Sequence, residues 1–231
     1  MLKTLKINGL ENEIFFISDL HHGHDRLFIH KPRGFNNLQE HDAAIVQRWN
    51  EVCSNRSVVF NLGDVQFNDP TGDKLKNLFR RLNFKTMYLC LGNHTSGQSA
   101  IYKEELKLQF PNVFSEDGFY FSEVYPLWHN VDGNPFKQVV FLPEYVEASI
   151  NGIRFVLCHY PIYSHHKQSH KSIHLAGHSH GNCALTNKNT GKGFRLDVGW
   201  ESFGRPISLA EVNSHLKNRD LDITDHHGDD S

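Results

Sequence analysis

Five short apolar runs, each closing on a residue able to ligate a hard or borderline metal ion, constrain this chain most. They read EIFFISDLH (Glu13–His21), SVVFNLGD (Ser57–Asp64), TMYLCLGNH (Thr86–His94), RFVLCH (Arg154–His159) and SIHLAGHSH (Ser172–His180). Each has the length and the β-branched and aromatic content of a buried strand. Sites in open α/β sheets form just beyond the carboxyl ends of the strands. Asp19, His21, Asp64, Asn93, His159, His178 and His180 are therefore expected to meet in one place. Seven oxygen and nitrogen donors are too many for one tetrahedral zinc. They suit two adjacent divalent ions that share a carboxylate.

Between these runs the first half alternates strand and helix. The pattern predicts a helix over Leu38–Val52, with Asn37 as N-cap and Glu40 closing a capping box. A second is predicted over Asp73–Leu82, capped by Asp69 or Thr71 with Pro70 at its entry, and a third over Gln98–Phe110, stopped by Pro111. Strands Ser57–Asn61 and Thr86–Leu91 fall between them, an order that implies parallel pairing with right-handed crossovers. The second half carries hairpin signals at Asp132-Gly133-Asn134 and Asn151-Gly152. Strands follow at Ser172–Ala176, Cys183–Thr186 and Phe194–Val198, the last two joined by NKNTGKG, then a helix over Ser208–Leu216. A mostly parallel half followed by a mostly antiparallel one predicts an α/β fold of two mixed sheets packed face to face, with helices outside. One domain is expected over residues 1–218, with 219–231 as an acidic, loose tail whose His226 and His227 need no site.

The chain has 231 residues, 39% of them hydrophobic and 22% charged, with a net charge of −2, so no global field draws it to nucleic acid or anionic membrane. Histidine is the exception, at 17 residues, and it is the commonest metal ligand. The cysteines show no CxxC spacing, and Cys90 and Cys158 lie inside apolar strands. That favours a reducing compartment over a disulfide framework. The N-terminus lacks a continuous signal-peptide core and no apolar stretch reaches membrane-spanning length, so a cytoplasmic protein without a membrane partner is expected.

The order Asp-x-His, Gly-Asp, Gly-Asn-His, His, Gly-His-x-His resembles the calcineurin-like metallophosphoesterases, over about residues 14–180. The further blocks DLHHGH, RWNEV, CHYP, GHSHG and PISL look like the small phosphoesterases of bacteria and their phages. The resemblance implies a four-layer α-β-β-α sandwich. It implies that Asp19, His21, Asp64 and His180 hold one metal, that Asp64, Asn93, His159 and His178 hold a second, and that Asp64 bridges the two. Manganese is the expected ion, with iron, zinc, nickel or cobalt as alternatives. His94 would face the leaving group, and a metal-bridging hydroxide would attack the phosphorus in line. The implied substrate is a small, nucleotide-like phosphodiester or phosphomonoester. A nuclease or nucleic-acid end-processing phosphatase is the alternative, and a non-catalytic metal-binding scaffold the third reading.

Two positions depart from the wider family. Thr95 follows Gly-Asn-His where many members carry an acid, and Phe67 stands where many carry an aspartate that orients the catalytic histidine; Asp69 is the nearby substitute. Around the metal set, His24, Asn93, His94 and Tyr163 are candidate substrate contacts. His24 serves equally as a cap for the next helix. His22 reads as structural or solvated, His165, His166 and His170 as a solvated loop, and His174 and Trp49 as packing. The basic run Lys74, Lys76, Arg80, Arg81, Lys85 reads as a solvated helix face rather than a nucleic-acid contact. The aromatics of Phe119–Val140 form either a wall of the site or hairpin core.

Overall fold

Ile14 and Phe16 of the first buried strand pack into one apolar cluster, and Phe15 and Ile17 into another. A strand's side chains alternate between faces, so a run buried at every position must sit between two layers. The computed structural model, which describes residues 4–109, 127–189 and 193–222, shows those layers.

In chain order the elements are β1 (Leu5–Ile7), β2 (Ile14–Ile17), α1 (Leu27–His30), α2 (Leu38–Val52), β3 (Val58–Asn61), α3 (Asp73–Arg81), β4 (Thr86–Leu89) and α4 (Ser96–Gln109). They continue with β5 (Leu127–Asn130), β6 (Gln138–Phe141), β7 (Tyr145–Ile150), β8 (Ile153–Cys158), β9 (Ile173–Ala176), β10 (Arg195–Asp197), α5 (Trp200–Phe203), β11 (Ile207–Ser208) and α6 (Leu209–Leu216). A six-stranded sheet runs β11-β2-β3-β4-β6-β5 and a five-stranded sheet runs β1-β7-β8-β9-β10. Both are mixed, and helices flank them. Phe16, Phe60 and Val140 of the first sheet meet Phe155, Leu157 and Leu175 of the second in one cluster. On the other face, Phe15, Val59 and Met87 pack against Trp49 of α2, Phe79 of α3 and Ile101 of α4. Trp49 is fully buried and donates its indole N–H to Asn83 O (2.8 Å), as its place on the apolar helix face predicts.

Several boundaries move for local reasons. Asn37 caps α2 by accepting from Glu40 N–H (2.9 Å), but Glu40 reaches back to the amide of Asn36, so the expected capping box is displaced by one residue. The N-cap of α3 is Gly72, in the left-handed region at φ 77°, rather than Asp69 or Thr71, although Asp69 accepts from Leu75 N–H (2.9 Å) and Thr71 Oγ1 lies 3.4 Å from Asp73 N. Asn151 and Gly152 adopt φ of 50° and 81°, the left-handed pair that a two-residue hairpin requires, and β7 pairs antiparallel with β8 across them.

Two expectations fail. The second half is not mostly antiparallel: β9 pairs parallel with both β8 and β10, and β1 returns to pair parallel with β7. Cys183–Thr186 is a turn rather than a strand. Cys183 O accepts from the amides of Thr186 and Asn187, and the Asn187 side chain donates to Gly181 O, closing the loop before an extended run can form. Phe110, Pro111, Tyr120, Phe121, Tyr125, His226 and His227 lie outside the described residues. Trp128 and Phe136 of the aromatic segment are exposed. Among the described residues no helix is long and apolar enough to cross a membrane.

Candidate metal centre

β2, β3 and β4 run parallel with Ile17, Asn61 and Leu89 in register, so the chain leaves all three at one level. Asp19, Asp64 and Asn93 follow those exits, and His159, His178 and His180 follow β8 and β9 of the facing sheet. Asp19, His21, Asp64, His178 and His180 all have φ between 49° and 64°. Non-glycine residues rarely adopt this left-handed backbone, and each instance costs about 1–3 kcal/mol. Here the turn returns each side chain to the strand ends.

Each of the two carboxylates is held at one oxygen by a backbone amide. Asp64 Oδ1 accepts the His94 amide (2.8 Å) and Asp19 Oδ2 accepts the His178 amide (2.9 Å). Asp64 Oδ2 then faces three imidazoles, 3.5 Å from His159 Nε2, 3.8 Å from His21 Nε2 and 4.0 Å from His94 Nε2. Asp19 Oδ1 lies 3.9 Å from His21 Nε2, and both atoms are buried without a hydrogen-bond partner among the described residues. On the other side Asn93 Oδ1 is 2.9 Å from His159 Nε2 and 3.0 Å from His178 Nδ1. The structure thus gathers all seven predicted donors. Three groups each lie close enough for a single ion to span: Asp19, His21 and His180; Asp19, Asp64 and His159; and His21, Asp64 and His94.

Burial shows what this arrangement lacks. It drives the Asp19 carboxyl up to about 7 despite the pull of His159 and His180. It drives His21 down to about 2, against the pull of Asp64. Burial also opposes charge on Asp64, but the hydrogen bond and charge of His159 and the amide of His94 outweigh it and hold that carboxyl near 2. Orphaned buried oxygen and nitrogen atoms, with a buried acid, Asp19, that lacks sufficient positive charge, fit divalent cations.

A supporting layer fixes the imidazoles. His159 Nδ1–H donates to Leu62 O (2.9 Å), which leaves Nε2 to face the cluster. His180 Nδ1–H donates to Glu201 Oε1 (2.7 Å). Arg33, almost fully buried, binds the same carboxylate and also donates to Asp19 O and Leu20 O at 2.8 Å each. Hydrogen bonds with His180 and Arg33 hold the Glu201 carboxyl near 2 although burial opposes its charge. Asp197 accepts from Ser179 Oγ and from the amides of Gly181 and Gly199, which clamps the loop carrying His178 and His180. His24 places Nδ1 3.3 Å from His21 Nδ1, and burial lowers its pKa to about 4, so it stands neutral beside His21. Sequence reasoning singled out none of Arg33, Asp197 and Glu201.

His94 is one-third exposed at the mouth of a cleft of about 260 Å³, which is also lined by His24, Arg26, Phe28, Phe67, Asn93 and His178. Tyr163 is not in that lining; it is exposed, and its carbonyl accepts from Arg195. Tyr160 is the tyrosine beside the centre, with ring centroids 4.7 Å from His178 and 5.1 Å from His159. In the same loop His165 is buried and lies 3.1 Å from Ser172 O, contrary to the solvated reading, whereas His166 and His170 are exposed. His174 packs as expected, between Val156 O and the Ile162 amide. His22 is mostly buried, 3.7 Å from Asp42.

A family model described as calcineurin-like phosphoesterase matches residues 13–229. An 82-residue stretch is 29% identical to an uncharacterized protein of Methanocaldococcus jannaschii. That stretch is 36% of this chain and spans 46% of the relative's length. The crystal structure of a protein of unknown function from Aquifex aeolicus covers 87% of this chain and 97% of its own, with a TM-score of 0.54 at 17% identity. The last similarity is one of fold.

Proposed function

The chain belongs to the calcineurin-like phosphoesterase family, and from that premise we propose that it is a binuclear, manganese-dependent hydrolase of small, nucleotide-like phosphoesters. The observation that carries this reading is Asp64, with one oxygen fixed by a backbone amide and the other set among three imidazole nitrogens. In this reading Asp19, His21, Asp64 and His180 hold one ion, and Asp64, Asn93, His159 and His178 hold the other. Two such ions lower the pKa of a water and neutralise phosphoryl oxygens.

The chain's own residues then divide the remaining work. Asn93 and His178 are exposed while Asp19 and His21 are buried, so substrate meets the centre from the Asn93 side. His94, at the same opening, is set to hydrogen-bond a phosphoryl or leaving-group oxygen and to hand a proton to the departing alcohol. The carboxylate of Asp64 keeps the His94 backbone in place by accepting its amide N–H. Lys76 and Arg80 of α3 are paired with Glu104 and Asp132, so the basic helix lends little support to a nucleic-acid substrate.

The reading is tested by assaying manganese-loaded protein on paired mono- and diesters, including 2′,3′-cyclic and 3′,5′-cyclic nucleotides, with Asp64→Asn and His94→Ala as controls. Diesters are expected to turn over faster than monoesters. Clearly faster monoester turnover overturns that preference, and inertness on the whole panel, with metal bound, favours a scaffold.

A further inference from the structure

An exposed phenylalanine usually needs no explanation, but Phe28, 69% exposed beside the equally exposed Leu27, sits on a helix whose other half is buried. In α1 its neighbours Ile29 and His30 are buried, and Lys31 N–H donates to Leu27 O, so Phe28 is not turned out by a loose segment. It also shares a cleft with His94, Asp64 and Asn93. Four rings run together there. Phe28 meets the edge of His24 (centroids 5.8 Å apart), His24 lies flat on Phe67 (3.8 Å, 5°), and His94 stands edge-on to both. His24 has its packing partner in Phe67, so Phe28 is not needed to cover it.

We infer that Phe28 is the seat for a planar ring on the departing alcohol of the substrate, an inference that rests on the phosphoesterase reading. The wall of rings lies on the His94 side, and that is the side from which the alcohol leaves. A stacked ring is the occupant that such a wall rewards, since every aromatic group offers a π-face. Arg26 is exposed and lines the same rim, so it adds positive charge where an anionic ester enters.

Calorimetric binding of phenylphosphonate and methylphosphonate to manganese-loaded protein isolates the ring. The wild type is expected to prefer phenylphosphonate by about tenfold, the scale of one stacked ring. Phe28→Ala should reduce that preference to about twofold, and Phe28→Trp should keep it. A preference absent from the wild type, or unchanged in Phe28→Ala, overturns the inference. The 5′-methylenephosphonate analogues of adenosine 5′-phosphate and ribose 5-phosphate, whose P–C bond is not hydrolysed, repeat the comparison with a nucleobase. A preference that Phe28→Ala removes there assigns the seat to nucleosides; without one, a phenyl preference assigns it to smaller aryl groups. Phosphonates carry no scissile ester, so failure here leaves the hydrolase reading standing. A protein inert toward every ester leaves this binding test standing.

Discussion

Phe67 presents its ring edge-on to His94, with centroids 5.1 Å apart and planes at 73°. Where the resemblance would place an aspartate to orient that histidine, this chain has an aromatic wall. Asp69 does not take over the role, because its carboxylate accepts from Leu75 N–H at the start of α3. Packing by Phe67 and His24, together with the amide bond to Asp64, positions His94 instead.

His94→Ala should therefore lower kcat/KM by about 10²–10⁴ for alkyl esters, whose alkoxide needs a proton as it leaves. For p-nitrophenyl esters, which leave readily, the loss should be under about tenfold. Comparing the two substrates within each variant measures this, and equal losses would count against proton delivery.

Glu201→Gln should weaken manganese binding by about 10–100-fold, because the carboxylate that orients His180 and pairs with Arg33 loses its charge. Competition against a chelator reads this directly. Unchanged affinity would mean that His180 needs no such support.

Gly92 and Gly177 are required by close approach. A Cβ at Gly92 would collide with Asp64 Oδ1, and one at Gly177 with Asp19 Oδ2 and Ser18 Oγ. Gly92→Ala and Gly177→Ala should each cost about 1–3 kcal/mol of stability by overpacking and displace a metal-facing carboxylate. Urea denaturation and metal content check both halves of that expectation.

The donor set was legible because each donor sits a few residues past a strand whose apolar run marks its own end. Arg33, Asp197 and Glu201 were not. Their partners lie far along the chain or across a loop: Arg33 binds the backbone of Asp19 and Leu20, and Glu201 binds His180. No periodicity marks such contacts. The same limit explains Cys183–Thr186, where three apolar residues resembled a strand although the flanking Gly181 and Asn187 close a turn. Phe28 was missed because one aromatic residue in a four-residue helix has no pattern around it.

A stability prediction lies away from the centre, at the start of α6. Ser208 accepts from Glu211 N–H and Glu211 accepts from Ser208 N–H, forming a capping box that Arg205 joins. Ser208→Ala should cost about 1 kcal/mol. Hydrogen bonding to Arg205 pulls the Glu211 carboxyl from 4.5 to about 2, against desolvation. A depressed folded-state pKa stabilises fully above the unfolded value, and the benefit fades as pH falls through the folded one. Glu211→Gln should therefore be less stable than wild type at neutral pH, with the gap closing between about pH 4.5 and 2. Urea denaturation as a function of pH decides it, and a gap that persists at pH 2 would contradict it.

The most direct test of the central claim is turnover of bis(p-nitrophenyl) phosphate by manganese-saturated wild-type and Asp64→Asn protein. If Asp64 joins two ions into one centre, the wild type hydrolyses the diester and Asp64→Asn loses at least about 10²-fold in kcat. Equal rates in the two proteins would contradict the account.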